Sequence, residues 1–450
     1  MKESSVPEQP IHQQSLTVLV GAGVVGRAIA RSHLDAGIPF VLVDQSVDQL
    51  RSAVAELQCG VLPNHSGQLD SRPELVQANH ITDRGGFIGQ DGSPANGYLG
   101  AAKLLGPSVE FLPSAEDDKF SGTPIVIESI SEKLEAKQSF FNRAQEVFGE
   151  RAIYCSNTSN LQIQQIAAGL KYPERICGMH FFMPVHARHA VEVATGLGSD
   201  RETIYQAISH VSRLKKQPIQ VEDSPGFVVN RLLSPYLNES LSLLCRGVSH
   251  RLIERAARRY GMPLSPLELI DWIGTRTAFD AGRVFWRSFP KRLCPTPLLP
   301  ALVKNRRGGR FSGGGIYDYH DGQRSMELSK EASRLIDQYQ TRQCRVDEQQ
   351  VMLLLAVPMW IEAVLARLEG VIRSTSELDL AMRGGLGFDP RKSWSGFFDR
   401  LGSDSILQSI QRWSSVTPAM DPPSFVLTRL RGMSPSEVID LGRQRPAHVA

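Results

Sequence analysis

The chain has few cysteines and a small net charge, and each of these features argues against a class of protein. Its six cysteines are scattered without a CxxC pair, so neither a zinc site nor a disulfide framework is predicted. The 50 basic and 47 acidic side chains leave a net charge of +3, which offers no argument for nucleic-acid binding. No apolar stretch suggests a membrane span, and residues 1–15 are polar without an apolar leader segment. We therefore expect a cytoplasmic protein with a disordered lead-in over residues 1–15.

The remaining composition is that of a globular protein. With 41% hydrophobic and 22% charged residues, the 450-residue chain can bury a large core and should form two or three domains. Strand-like and helix-like segments alternate up to residue 222, and helical periodicity follows from residue 223 onward. This order predicts an α/β protein with a Rossmann-type, doubly wound sheet followed by an all-α part.

A glycine-rich turn near the N-terminus stands in the context that nucleotide binding requires. An apolar run over residues 16–20 leads directly into Gly21-Ala22-Gly23-Val24-Val25-Gly26 and an amphipathic helix pattern through residue 36. A second strand, over residues 40–43, ends in Asp44, at about the 20-residue spacing of the dinucleotide fingerprint. The predicted cofactor-binding residues of this segment are Gly21, Gly23, Val24, Val25, Gly26 and Asp44.

Each key residue of the fingerprint has a physical reason. Gly21 permits the tight turn, Gly23 lets the backbone approach a pyrophosphate, and Gly26 allows helix and strand to pack closely. Asp44 would accept hydrogen bonds from the ribose hydroxyls and repel a 2′-phosphate, so NAD is predicted in preference to NADP. A glycine-rich turn in an α/β protein that binds no nucleotide is the alternative.

Residues 59–122 interrupt the pattern, because ten glycines and several prolines break any long helical period. Only fragments stand out, a helix over residues 98–105 and a strand over residues 109–112. A linker-like insertion and a functional segment are equal interpretations of this region. Regular structure resumes with a strand at Ile125–Glu128, a helix over 133–147, a strand over 152–155 and a helix over 161–170.

Polar side chains stand at the edges of apolar runs beyond this point. His180 closes the run over residues 176–180, and Glu192 interrupts the apolar alternation of residues 190–194. A carboxylate bonded to one ring nitrogen of a histidine raises the basicity of the other nitrogen, as a general base requires. Unrelated core or surface positions are the alternative for such a pair. Two further histidines follow without a supporting carboxylate pattern, so no metal site is predicted.

Four motifs, in this order and at these separations, resemble the L-3-hydroxyacyl-CoA dehydrogenase family. They are Ser156-Asn157-Thr158-Ser159, His180-Phe181-Phe182-Met183-Pro184-Val185, Val191-Glu192-Val193 and Pro225-Gly226-Phe227-Val228-Val229-Asn230-Arg231-Leu232. The resemblance implies that His180 is the catalytic base and Glu192 its orienting partner. It implies substrate contacts from Ser159 and Asn230, and cofactor contacts from Glu132, Lys137 and Asn157.

Several of these residues also have a plainer interpretation. Ser159 could cap the helix expected near residue 161, and Asn230 could cap or bridge within its own helix. Glu132 could be an ordinary first-turn acid, and Lys137 an exposed lysine on a solvated helix.

The implied reaction is the reversible oxidation of an (S)-3-hydroxyacyl thioester by NAD in fatty-acid β-oxidation. An acyl-CoA is then the substrate, and thiolase or a separate enoyl-CoA hydratase is an implied partner. Two other hypotheses stay open. The irregular region 59–122 suggests a dehydrogenase of a free hydroxy acid. Met183, where the family commonly has a residue that can donate a hydrogen bond, suggests a catalytically impaired NAD-binding scaffold of an oxidation complex.

The helical part of the chain contains an internal repeat. Helical periodicity begins with Pro225, and residues 230–274 are echoed by residues 351–402. This duplication resembles the dehydrogenase part of the multifunctional fatty-acid oxidation α-subunit, without its enoyl-CoA hydratase part. In single-copy relatives a dimer partner supplies the second helical unit, so the duplication favours a monomer, with a dimer as the alternative. The predicted domains are 16–222, 223–340 with a linker, 341–430 and a tail over 431–450.

Overall fold

The structure, a computed structural model, describes residues 15–58, 103–104, 122–341 and 343–441. Two compact units divide the chain. The first contains the described residues up to 158 together with 163–187 and 196–216. The second contains residues 159–162, 188–195 and the chain from 217 onward.

Six parallel strands form the sheet of the first unit. They are β1 (Thr17–Val20), β2 (Val41–Asp44), β3 (Lys103–Leu104), β4 (Ile125–Glu128), β5 (Ile153–Ser156) and β6 (Ile176–Phe181). Their order is β3-β2-β1-β4-β5-β6, and every neighbouring pair is parallel. β1, β4 and β5 are buried along their whole length, as in a parallel sheet covered on both faces. The predicted Rossmann-type sheet is confirmed, and this strand order is that of dinucleotide-binding sheets.

The described residues of this unit form five helices. They are α1 (Val24–Ala36), α2 (Val47–Gln58), α3 (Leu134–Phe148), α4 (Ile163–Ala167) and α5 (Arg201–Arg213). The helix predicted over residues 161–170 is wrong at both ends, because α4 has only five residues. Gly169 follows it with a φ of 80°, in the left-handed region that ends a helix.

Three predictions concern residues that the structure describes only in part or not at all. Lys103–Leu104 pair in parallel with the end of β2, so the helix predicted over residues 98–105 is wrong at these two residues. The open edge of β2 offers them hydrogen-bond partners that a helix would not use. The rest of that helix, the strand predicted over 109–112 and residues 1–14 of the lead-in lie outside the described residues.

The second unit begins with two parallel strands, β7 (Ala190–Thr195) and β8 (Gln217–Glu222). The rest of the unit is mainly helical and includes one antiparallel hairpin of β9 (Tyr317–His320) and β10 (Gln323–Leu328). Its helices are α6 (Val229–Cys245), α7 (His250–Tyr260), α8 (Pro266–Ile273), α9 (Thr275–Ser288), α10 (Leu298–Lys304), α11 (Lys330–Gln338), α12 (Glu348–Leu368), α13 (Thr375–Leu380), α14 (Trp394–Leu401), α15 (Ser403–Trp413), α16 (Ser424–Leu430) and α17 (Pro435–Asp440). A π-helical turn, Ala381–Leu386, follows α13.

The start of α6 corrects one prediction. Helical periodicity suggested a helix from Pro225, but residues 225–228 form a turn and α6 begins at Val229. Gly226 and Phe227 have positive φ values of 75° and 49°, which a right-handed helix cannot include. The turn leaves the backbone N–H groups of the first helical residues available to a partner.

Helix α12 forms the centre of the second unit. In the part of the chain that the structure describes, it is the one helix long and apolar enough to cross a membrane, with 94% of its most apolar window buried in the protein. This corrects the expectation that no stretch reaches such a length. Because α12 packs against α6, α7 and α15, its apolar surface faces other helices of the same unit.

The predicted tail over residues 431–450 is wrong in its first half. Residues 435–440 form α17, in which Val438 and Ile439 are buried. The indole N–H of Trp360 in α12 donates to the carbonyl oxygen of Pro435 at 3.2 Å. A short helix with two apolar residues on one face was mistaken for a frayed end, because the surface that covers it lies far away in the sequence. Residues 442–450 lie outside the described residues.

Candidate active site

The glycine-rich turn after β1 has the geometry that the fingerprint predicts. Gly21 has a φ of 102°, and a Cβ there would lie 2.5 Å from the carbonyl oxygen of Ser129. A Cβ at Gly26 would lie 1.7 Å from the carbonyl oxygen of Gly21. A Cβ at Gly23 would meet nothing within 4 Å. Two glycines are therefore required by packing within the protein, whereas Gly23 leaves open space where a pyrophosphate would approach the backbone.

Asp44 lies beside this turn. Its Oδ2 accepts a hydrogen bond from the backbone N–H of Ala22 at 2.6 Å, and its Oδ1 accepts one from Ser46 at 2.8 Å. The carboxylate is thereby oriented, and each oxygen has a second lone pair that can accept a ribose hydroxyl. Val24 opens α1 with 56% of its surface exposed, and Val25 beside it is half-buried. All six predicted residues of the fingerprint thus lie on or beside one turn.

A buried cluster of charged and polar groups occupies the ends of β4 and β5. Lys137 Nζ lies 2.6 Å from Glu128 Oε1 and 3.3 Å from Glu132 Oε2. The hydroxyl of Ser156 donates to Glu128 Oε2 at 2.7 Å, and the hydroxyl of Thr158 donates to Glu132 Oε1 at 2.6 Å. The interpretation of Lys137 as an exposed lysine is wrong, because the ion pair with Glu128 allows its burial.

Glu128 is a site residue that the sequence analysis missed. It ends β4 with its side chain completely buried, and its Oε1 also accepts from the backbone N–H of Ile130 at 2.7 Å. The available signal was an acid closing an otherwise apolar strand, which is a costly residue to bury without partners. That signal resembles the one that identified Asp44 at the end of β2.

Asn157 links the ends of two strands of the same sheet. Its backbone N–H donates to the carbonyl oxygen of Glu128, the last residue of β4, at 2.8 Å. Its side-chain Oδ1 accepts from the backbone N–H of Phe181, the last residue of β6, at 2.8 Å. Asn157 therefore fixes the spacing of the carboxyl ends of these strands, where α/β sheets bind their ligands.

His180 is the penultimate residue of β6 and is buried. Its ring centroid lies 4.8 Å from that of Phe182 in an edge-to-face arrangement. The apolar strand before it and the aromatic ring beside it limit the orientations of the imidazole. Met183, the residue that departs from the family pattern, has 43% of its surface exposed.

Glu192 is a residue of β7 in the second unit, and its side chain contacts the start of α6. Its Oε1 accepts hydrogen bonds from the backbone N–H groups of Val228 and Val229, at 3.0 and 2.9 Å. The carboxylate is completely buried on β7 and caps the positive end of α6. A buried acid with two backbone donors has a fixed orientation, which a residue that orients a catalytic base requires.

Asn230 and Ser159 contact each other in the second unit. The side-chain Nδ2 of Asn230 donates to the carbonyl oxygen of Ser159 at 3.1 Å, across 71 residues of sequence. The interpretation of Ser159 as a helix cap is wrong, because α4 begins four residues later at Ile163. Asn230 does not bridge within its own helix in this contact. Asn230 also lines a depression, together with Asn160, Ser234, Ala281 and Val284.

The predicted catalytic residues divide between the two units. His180 belongs to the first, and Ser159, Glu192 and Asn230 belong to the second. Within the second unit, Glu192 and Asn230 meet through the first turn of α6. Among the residues that the structure describes, no group of three or more His, Cys, Asp or Glu side chains is arranged to bind a metal ion.

Two family models match consecutive stretches of the chain. Residues 109–224 match "3-hydroxyacyl-CoA dehydrogenase, NAD binding domain", and residues 226–319 match "3-hydroxyacyl-CoA dehydrogenase, C-terminal domain". Residues 109–319 therefore carry both domains of the 3-hydroxyacyl-CoA dehydrogenase family. The chain is an NAD-dependent dehydrogenase. The first match begins beyond the glycine-rich turn, so β1, α1 and β2 support NAD binding independently of it.

Solved structures extend the similarity over most of the chain. A 3-hydroxybutyryl-CoA dehydrogenase from Escherichia coli is 22% identical, covers 94% of this chain and 99% of its own, and has a TM-score of 0.69. The dehydrogenase part of multifunctional enzyme 1 from C. elegans is 20% identical over 92% of each chain, with a TM-score of 0.55. These two similarities show the fold. An (S)-3-hydroxybutyryl-CoA dehydrogenase from Ralstonia eutropha is 27% identical, with a TM-score of 0.53, over 68% of this chain and 99% of its own.

Proposed function

We propose that this dehydrogenase oxidises (S)-3-hydroxyacyl-CoA to 3-oxoacyl-CoA with NAD, as a step of fatty-acid β-oxidation. The contact of Asn230 with Ser159 is the observation that carries the proposal. Two residues that the family resemblance assigns to the substrate, far apart in sequence, contact each other, and one of them, Asn230, lines a depression. The names of the Escherichia coli and Ralstonia eutropha relatives, both 3-hydroxybutyryl-CoA dehydrogenases, support a 3-hydroxyacyl thioester as the substrate class.

The residues of the second unit suit the binding of such a thioester. The amide nitrogen of Asn230 carries two N–H donors, and the contact with Ser159 uses one of them. The second can donate to the thioester carbonyl of the substrate. The hydroxyl of Ser159 can donate to the oxygen on C3. Such paired contacts would orient C3 for reaction, and orientation contributes a large share of enzymatic rate enhancement.

The proposed base is His180. It takes the proton of the C3 hydroxyl as the C3–H bond breaks, and a positioned base of this kind contributes about 10²- to 10⁴-fold to the rate. Glu192, oriented by the first turn of α6, stabilises the imidazolium that forms. Bound NAD supplies the acceptor for the hydride that leaves C3. In the reverse direction the imidazolium of His180 returns the proton to the oxygen.

The residues of the first unit fit the proposed cofactor. The open space at Gly23 and the oriented carboxylate of Asp44 suit a pyrophosphate and an adenosine ribose. Glu132 and Lys137 would contact the nicotinamide end, and Asn157 would keep the strand ends around it at a fixed spacing. Glu128 would act through Lys137 by keeping its ammonium group in place.

The test is NADH formation from (S)-3-hydroxybutyryl-CoA and from a long-chain analogue. We expect turnover with both thioesters and little with free 3-hydroxybutyrate. His180→Ala should lower kcat by about 10²- to 10⁴-fold, as expected for loss of a general base. His189→Ala, an exposed imidazole nine residues later in the sequence, is the control and should retain wild-type kcat.

Two results would contradict the proposal. Faster turnover of the free hydroxy acid than of the thioester would assign the enzyme to another substrate class. NADH binding without turnover of any thioester would mean a catalytically impaired scaffold. Chain-length preference follows directly from the ratio of kcat/KM values for the two thioesters.

A further inference from the structure

A network of four charged residues, of which Arg231 and Glu362 are buried, connects the start of α6 with α12. The guanidinium of Arg231 is completely buried, one residue beyond Asn230, and its Nε donates to the carboxylate of Glu362. Its Nη2 lies 2.7 Å from Glu369 Oε2. Arg292 contacts the same two carboxylates, with Nη1 3.0 Å from Glu362 Oε1. We call Arg231, Arg292, Glu362 and Glu369 the charge clamp.

The charge clamp is balanced, and its central pair, Arg231 and Glu362, is buried. Two guanidiniums face two carboxylates, and both guanidiniums contact the ring of Phe289, with centroid distances of 4.5 Å for Arg231 and 4.4 Å for Arg292. Burial raises the pKa of the Glu362 carboxyl, and the two guanidiniums oppose that shift. Removing one partner would leave a buried charge without compensation, which is strongly destabilising. Such a network fixes the position of the backbone segments that carry it.

Helices α6 and α12 share a sequence pattern, but only α6 carries an arginine of the charge clamp. Each helix has an internal proline followed four residues later by glutamate and twelve residues later by glycine, at Pro235, Glu239 and Gly247 and at Pro358, Glu362 and Gly370. In this register Leu353 and Leu354 of α12 stand where α6 has Asn230 and Arg231. The glutamate is therefore present at the same position of both helices. The positions of Asn230 and Arg231 in α6 are occupied by leucines in α12.

The two glutamates have different partners as a consequence. Glu362 meets Arg231, but Glu239 has no arginine at the corresponding place and accepts a hydrogen bond from the hydroxyl of Thr417 at 2.9 Å instead. Burial raises the pKa of Glu239. The charge clamp thus occurs at the one helix start that carries Asn230 and receives the Glu192 cap.

We propose that Glu362 is a positioning residue for the substrate site. It anchors Arg231, and through Arg231 it fixes the first turn of α6, from which Asn230 reaches the Ser159 carbonyl. Glu192 contacts this turn at its N–H groups and Glu362 contacts it from α12, so the turn is constrained from two directions. Helix α12 thereby takes part in catalysis without itself touching the substrate. The inference rests on the proposed role of Asn230.

The first test uses Glu362→Gln, which keeps the side-chain shape and removes the charge. We expect kcat/KM for (S)-3-hydroxybutyryl-CoA to fall at least about tenfold, because a displacement of about 1 Å can cost about 10²-fold. The dissociation constant of NADH should stay within about twofold of wild type, since a change of that size is within about 0.4 kcal/mol. Glu348→Gln is the matched control, because Glu348 also joins α12 to another helix, through Arg255 at 3.0 Å, but contacts α7 instead of α6.

A double-mutant cycle separates positioning from general destabilisation. In the Asn230→Ala background, Glu362→Gln should change kcat/KM by less than about twofold, because the group that the clamp positions is already absent. An equal loss in both backgrounds would overturn the proposal. So would wild-type kcat/KM in Glu362→Gln, or a loss of NADH binding that parallels the loss of activity.

A second readout does not depend on turnover. Hydrogen exchange of the backbone amides of Val228 and Val229 reports on the first turn of α6 directly. We expect exchange to be at least about tenfold faster in Glu362→Gln and unchanged in Glu348→Gln, since opening of this turn would cost about 1.4 kcal/mol less. Unchanged exchange in Glu362→Gln would overturn the proposal even if no thioester were a substrate. If Glu362→Gln does not fold, Glu369→Gln, at the more exposed end of the clamp, serves in both tests with the same criteria.

Discussion

Lys137 donates a hydrogen bond to Glu128 across 2.6 Å, with exposed fractions of only 1% and 0% for the two side chains. The pair joins α3 to the end of β4, at the edge of the sheet where the cofactor is expected. Burying two charges is costly, and here the cost is offset by their mutual attraction and by the donors of Ile130 and Ser156. This relationship makes Glu128 as important to the site as the lysine it contacts.

Replacing Glu128 should therefore be strongly destabilising. Glu128→Gln leaves the ammonium of Lys137 buried with a longer contact to Glu132, and we expect a loss of about 3–5 kcal/mol in the free energy of unfolding. Chemical denaturation monitored by circular dichroism measures it. Glu146→Gln, an exposed acid of α3, is the control and should change stability by less than about 0.5 kcal/mol. A loss in Glu128→Gln no larger than in this control would contradict a structural role for the pair.

Gly23 and Gly26 of the fingerprint should respond differently to alanine. Gly26→Ala places a Cβ 1.7 Å from the Gly21 carbonyl oxygen, so α1 must move away from β1 and we expect a loss of about 1–3 kcal/mol. Gly23→Ala meets no protein atom within 4 Å and should leave stability within about 0.5 kcal/mol of wild type. It should nevertheless weaken NADH binding, because the methyl group enters the space needed by the pyrophosphate. NADH fluorescence titration and thermal unfolding of both variants check this; equal NADH affinity of Gly23→Ala and wild type would argue against the site.

A pair of buried histidines should make the first unit sensitive to acid. His33 Nε2 lies 2.9 Å from His210 Nε2, and His33 Nδ1 lies 2.8 Å from the carbonyl oxygen of Ile29. The carbonyl can only accept, so His33 carries its proton on Nδ1 and accepts the N–H of His210 at Nε2. Burial lowers the pKa of His33 to about 4 and lowers the pKa of His210 well below its usual range, with Arg213 adding to both shifts.

The sign of the resulting pH dependence follows from these lowered pKa values. Both histidines are neutral in the folded state, so their contribution to stability is complete above the unfolded pKa of 6.5. It is lost progressively as the pH falls below 6.5, by about 3 kcal/mol from His33 alone on reaching pH 4. Denaturation between pH 7 and 4 should show this slope, and the double variant His33→Leu/His210→Leu should flatten it. His189→Gln, at an exposed position, should retain the wild-type slope; an unchanged slope in the double variant would refute the assignment.

The last described helix should contribute measurably to stability. Ile439 in α17 is completely buried, so Ile439→Ala should cost about 2–5 kcal/mol, as large-to-small substitutions in a core do. Thermal unfolding of the full chain measures the effect. Arg431→Ala, an exposed position just before α17, is the control and should be nearly neutral. If both variants melted together with wild type, α17 would make no contribution to the folded state.

Local patterns were predicted well because they depend on residues near one another in the chain. The turn of Gly21, Gly23 and Gly26 follows directly from the strand before it and the helix after it. Strand β4 was predicted with its observed bounds, since an apolar run bounded by polar residues is a local signal. Where local signals misled, as at Pro225 and residues 161–170, left-handed glycines decided where the helix began or ended.

Contacts between distant segments were not predictable in the same way. The burial of Lys137 depends on its pairing with Glu128, and α17 contacts Trp360 of α12, which lies far away in the sequence. The link between Arg231 and Glu362 spans 131 residues, and no spacing rule connects them. Each charge taken alone would be read as a surface residue.

The sequence by itself indicated the family, the doubly wound sheet and NAD as the cofactor, because these depend on motifs whose spacing is set along the chain. Only the tertiary structure decided that Glu192 caps α6, that Asn230 donates to the carbonyl oxygen of Ser159, and that Arg231 pairs with Glu362. The physical reason is the cost of burying charge and hydrogen-bonding groups. Partners that meet this cost are chosen by three-dimensional proximity, which only the folded chain creates.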